Sequence, residues 1–153
     1  MFFCSFGRNQ VPSKNIDFEE YIDFSNLIFE NEILFDFERL NNLFFDERSH
    51  LVIQDEHKTE EGDVFTDEQN YVFKNEIKEY EHIQGILSSL GKIKNYSIKT
   101  YNFEKSIYDV PVNNLYYILY NVEYENYKTI EYFWLKKDID KIYIYRYFVS
   151  RVN

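Results

Sequence analysis

Glu123 and Glu131 are the carboxylates in this chain whose surroundings come nearest to chemistry. Both lie in stretches of alternating aromatic residues, with Tyr116 and Tyr120 upstream. Turned toward one cavity, two such carboxylates beside a phenol make an acid/base pair with an oxyanion donor. The competing reading is cross-strand pairing with Lys128, Lys136 or Arg146, the commoner fate of strand carboxylates. Which one holds depends on register, because successive strand residues point to opposite faces.

The other reactive side chains have weaker support. His50 and His57 flank Asp55 and Glu56, but that spacing matches no established metal motif, so solvated loop residues are the simpler expectation. His82 falls in a helical stretch near Glu79 and Glu81, where an exposed histidine is the plain reading. Cys4 is the sole cysteine and has no recognisable histidine partner, so neither an intramolecular disulfide nor a thiol nucleophile is expected. With four glycines in the whole chain there is no glycine-rich phosphate loop. No cofactor and no metal are called for, and no catalytic residue is assigned.

Aromatic surface is more distinctive. Tyr116, Tyr120 and Tyr124 share one face of a strand pattern whose other face carries Tyr117 and Leu119, and Tyr143, Tyr145 and Tyr147 oppose Ile142, Ile144 and Phe148. A sheet with one solvated face alternates more cleanly. The candidate binding set is therefore Tyr116, Tyr120, Tyr124, Glu123, Glu131, Trp134, Tyr143 and Tyr145, since Tyr and Trp are favoured interface anchors. Against this, the lack of any alanine and the wealth of Phe, Tyr, Ile, Asn and Lys bear the imprint of an AT-rich genome. That bias would place Tyr on exposed strands without a binding role, and N-terminal helices wrapping the second face would account for it equally.

The elements that must position these residues divide at Leu90-Gly91. Residues 1 to 90 hold 20 Asp and Glu against 7 Lys and Arg, while residues 91 to 153 hold 7 against 10. Residues 1 to 15 read as an extended lead-in. From Ile16 to about Arg48 the apolar spacing predicts two helices or one bent one, capped by Asp17. Residues 49 to 65 read as a polar loop with one short strand or turn. Thr66-Asp67-Glu68-Gln69 matches a capping box, opening a helix along Phe73, Ile77, Tyr80, Gln84 and Leu87 that Gly91 closes. Gly85 within it suggests close packing on the sheet. After Gly91 the period becomes two, giving strands at 96–101, 115–124, 130–135 and 141–149, with a connection at Pro111. Short links make the last three an antiparallel meander. The fold class is α+β, N-terminal helices on a curved antiparallel sheet of about four strands, in one domain spanning residues 1–153.

The runs Leu90-Gly91-Lys92-Ile93-Lys94-Asn95-Tyr96, Tyr120-Asn121-Val122-Glu123-Tyr124-Glu125, Thr129-Ile130-Glu131-Tyr132-Phe133 and Ile142-Tyr143-Ile144-Tyr145 together resemble small cystatin-like or NTF2-like bacterial domains, over about residues 66 to 150. One departure is the last strand, where the family often has Trp-Lys-Ile after a Gly-rich turn and this chain has Lys141-Ile142-Tyr143 after Asp138-Ile139-Asp140. The resemblance implies a concave sheet partly covered by helices, a scaffold that hosts enzymes, ligand carriers and purely binding proteins such as immunity proteins.

With a net charge of −10, nucleic-acid binding is disfavoured and a basic protein is the better electrostatic match. The expectation is a non-catalytic acidic binding protein, an inhibitor or immunity protein for a basic toxin or nuclease. The alternative is an enzyme or small-ligand carrier using the cavity, and a homodimer through the sheets is a third arrangement. No stretch is long and apolar enough for a membrane span. A cytoplasmic site is expected, or the cell envelope if Cys4 is lipidated or the start is incomplete. Phe3 stands where a lipoprotein signal needs a small residue.

Overall fold

The computed structural model describes residues 18–46, 48–72, 80–107 and 110–152. The expected roles of Cys4, Asp17, Phe73 and Ile77 fall outside them.

Two helices open the described chain, α1 (Phe18–Glu30) and α2 (Phe37–Asn42), joined through a 3-10 turn at Ile33–Phe35. In α1 the buried residues Tyr21, Ser25, Ile28 and Phe29 recur at helical spacing, and Glu19 and Asp23 are exposed, while Glu20 pairs with Lys137 at 2.9 Å and Glu30 accepts from Tyr96 Oη at 3.1 Å. Asp36 caps α2 by accepting from the Arg39 amide. The pair of helices expected over this stretch is present.

Two strands follow where a loop and a helix start were expected. β1 (His50–Lys58) and β2 (Val64–Val72) form an antiparallel hairpin in unbroken register from His50 opposite Val72 to Lys58 opposite Val64. Thr66-Asp67-Glu68-Gln69 therefore lies inside a strand. A helix cap contributes about 1 kcal/mol, too little to outweigh a nine-residue strand ladder. Thr59 closes the turn, accepting from the Gly62 and Asp63 amides, and Gly62 takes the positive φ of 92° that the tight loop requires.

Helix α3 (Tyr80–Ser88) begins later than the capping-box reading implied. It ends as expected, with Gly91 at φ 84° and its amide donating to the Ser88 carbonyl. The sheet continues through β3 (Ile93–Ile107), β4 (Val110–Tyr124), β5 (Lys128–Asp138) and β6 (Lys141–Val152). Pro111 belongs to β4, near its start, rather than to a connection. Gly85 is exposed, and among the described residues a side-chain carbon added there would meet nothing within 4 Å, so it does not pack closely on the sheet.

Among the described residues the sheet has six strands, not about four, in the order β2-β1-β6-β5-β4-β3. It is mixed, because β1 runs parallel to β6 while every other neighbour is antiparallel. The helices cover one face. There the core gathers Ile28, Phe29, Leu34 and Leu40 from the N-terminal helical segment, Ile83 and Leu87 from α3, and Leu51, Tyr120, Phe133, Ile144 and Tyr147 from the strands.

Candidate functional site

Strand parity separates the two carboxylates. Glu131 shares the helix-covered face with Thr129, Phe133 and Leu135, whereas Glu123 faces outward beside Lys94 at 3.9 Å. They do not make a pair. The inward set is Tyr116, Tyr120, Tyr124 and Glu131, all at 2 % exposure or less.

Glu131 is fully enclosed. Tyr124 Oη and Thr129 Oγ1 each donate to its Oε2 at 2.5 Å, and Tyr147 Oη donates to Oε1. The strand period brings Thr129 onto the same face of β5, and register sets Tyr120 directly opposite Glu131 on β4. Burial raises the carboxyl above its ordinary range, and the three hydroxyl donors offset part of that rise. Tyr124 and Tyr147 are driven well above the ordinary phenol value, first by burial and then by the carboxylate they face. A carboxyl with a raised pKa beside two phenols is the composition of an acid/base site. Here every hydroxyl proton is directed at the carboxylate, and no face of it reaches water.

Aromatic rings fill the concavity around this cluster. Phe133 stacks on Tyr147 with centroids 4.4 Å apart, and Phe29 from α1 reaches Tyr120 at 4.8 Å and Phe133 at 5.9 Å. Tyr120 is tied to α1 as well, sharing a 2.6 Å hydrogen bond with Ser25 Oγ and donating to Asn26 Oδ1 at 2.8 Å. Its hydroxyl is pushed up to about 12, chiefly by burial. Tyr116 packs on Tyr21 at 4.7 Å. On the same face, Arg151 makes a two-pronged contact with Asp55 and lies 5.1 Å over the Tyr127 ring.

The outer face carries the remaining candidates. Tyr132 stacks on Phe148 at 4.3 Å, Tyr117 meets Tyr132 at 5.5 Å, and the Arg146 guanidinium sits 5.3 Å over Trp134. Tyr143 lies under Lys141 and edge-on to Phe45. Tyr145 falls at a break in the β5–β6 register and has no partner in the pairing. This bulge reverses the parity of β6, so Tyr147 turns inward with Ile142 and Ile144 instead of sharing a face with Tyr143 and Tyr145.

Sequence reasoning missed Thr129 and Tyr147 as Glu131 partners and Asp55 with Arg151 as a pair. Thr129 was recoverable from the period of two, but Tyr147 was hidden by the bulge. The histidines form no metal set: His50 and His57 are an odd number of residues apart on β1, hence on opposite faces, and no cluster of three metal-ligating side chains occurs among the described residues. His50 Nδ1 meets Asn70 Oδ1 at 2.9 Å and His57 Nε2 meets Asp67 Oδ2 at 3.1 Å.

No protein-family model and no curated protein matches the sequence. Solved structures do match in shape. A domain of unknown function with a cystatin-like fold from Nostoc punctiforme superposes with a TM-score of 0.56 at 11% identity, over 91% of this chain and 79% of that one. An NTF2-like protein of unknown function from Shewanella baltica gives 0.53 at 8%, over 90% and 98%, and another from Shewanella oneidensis gives 0.52 at 10%, over 88% and 99%. At these identities the likeness concerns the fold, which is cystatin-like and NTF2-like, as the sequence runs around Gly91, Glu123 and Glu131 had suggested.

Proposed function

We propose that this NTF2-like fold serves as a non-catalytic binding protein that holds a basic protein partner on its acidic surface, as an inhibitor or immunity protein does for a basic toxin or nuclease. The observation that carries this reading is the filled concavity, in which Glu131 has 0 % exposure beneath packed aromatic rings. A substrate would have to displace that core. Charge supports the same reading: residues 50–72 alone hold 7 Asp and Glu against a single Lys. Such a surface accelerates association with a basic partner and blocks the sites by which that partner grips phosphate.

The second reading, an enzyme or small-ligand carrier, is favoured by one feature, the Glu131 carboxyl facing Tyr124 and Tyr147. It requires the helical cover to open.

Calorimetric titration of the full chain with the basic product of a neighbouring reading frame, at low and at high salt, tests the first reading. Affinity should fall steeply as salt rises. An affinity that salt leaves unchanged contradicts it.

A further inference from the structure

The sheet has two edges, and they are built differently. β3 carries Lys94, Lys99 and Lys105, and its register with β4 breaks at three places, between Ile93 and Asn95, Ile98 and Thr100, and Glu104 and Ser106. Lysines and bulges are the ordinary protection of an edge against pairing with another chain. β2 has neither. It is nine residues long without Pro, Lys or Arg, its register with β1 is unbroken, and among the described residues it pairs with β1 alone. Val64 is 53 % exposed, and Thr66, Asp67, Glu68 and Asn70 are exposed whichever face their parity selects. The strand thus projects past the helical layer as a regular row of backbone donors and acceptors.

We infer that the outer edge of β2, the one turned away from β1, is a strand-addition site for an extended, basic segment of a partner protein. The inference rests on the binding role proposed above and supplies its mode. In strand addition, backbone hydrogen bonds give affinity and flanking side chains choose the sequence. Here the flanking side chains are Asp67 and Glu68, with Glu60, Glu61 and Asp63 at the hairpin tip, and all are negative. Asp67 and Glu68 are on opposite faces of β2, so a row of Lys or Arg at alternate positions of an incoming strand, whichever face it takes, lies beside one of them at the short separation of cross-strand pairs. The same charge disfavours a second copy of this chain, because antiparallel self-pairing about Glu68 sets that glutamate against its own duplicate. The edge is protected against its own kind and open to its opposite.

The test uses the full chain and three labelled synthetic peptides matched in length to β2: alternating lysine and valine, alternating glutamate and valine, and the lysine–valine sequence with every backbone nitrogen methylated. Fluorescence anisotropy should show binding of the first, none of the second, and at least about tenfold weaker binding of the third, which keeps the charge but has no backbone donors. Glu68→Lys, which leaves the His57–Asp67 contact in place, should weaken the first peptide and admit the second, with an unchanged melting curve. Equal affinity for the methylated peptide overturns strand addition while leaving an electrostatic binding role intact. Failure of both lysine peptides to bind overturns strand addition and the basic-partner reading together.

Discussion

Glu131 and Glu68 are both strand glutamates, yet the fold treats them oppositely. Glu131 is enclosed by three hydroxyls on the inner face of β5, and Glu68 stands in water on an edge strand. The enclosed carboxylate is bound up in stability: its desolvation is offset only while Tyr124, Thr129 and Tyr147 stay in place. The exposed one contributes almost nothing to stability and is available for contact. Carboxylate chemistry alone therefore does not mark a functional residue in this molecule. Position relative to the helical cover does.

Truncating the enclosed group should have the largest effect. Glu131→Ala leaves a void and three buried hydroxyls without their acceptor, and should lower unfolding free energy by about 3 to 5 kcal/mol in a denaturant titration. A loss under about 1 kcal/mol would mean that water already reaches the cluster.

Next comes the pH response. The folded-state pKa of Glu131 is raised, so the folded protein holds this proton more tightly than the unfolded chain does. That contribution is complete below the ordinary carboxyl range and is lost as pH climbs through the raised value. Wild type should accordingly lose stability relative to Glu131→Gln as pH rises from acid toward neutral. A stability difference that stays flat with pH would show that burial is not the dominant influence.

A smaller change, of opposite sign, is expected outside both regions. Gly85→Ala should raise stability by about 1 kcal/mol, because the site is helical and exposed. A melting temperature that falls instead would show that α3 is constrained there by something other than propensity.

The sequence made some of this legible. The meander from Tyr116 to Val149 was readable because alternation and short links leave few other topologies. The β1–β2 hairpin was not. Its second strand is polar on both faces, so there is no period of two to detect, and Thr66 to Gln69 imitate a helix start. Pairing with β1 decided the matter, a long-range interaction invisible to local pattern. At the site, the inward orientation of Glu131 depended on register, and Tyr147 could be assigned to it only once the bulge at Tyr145 was known. Charge asymmetry was plain throughout, yet its concentration on one unprotected edge required the strand order.

Amide hydrogen exchange of the full chain, with and without the lysine–valine peptide, sets the two regions against each other directly. Slowed exchange should be confined to β2 and its hairpin partner β1, with Tyr124, Glu131 and Tyr147 unchanged. New protection at those three residues, with none at β2, would contradict strand addition and return function to the interior.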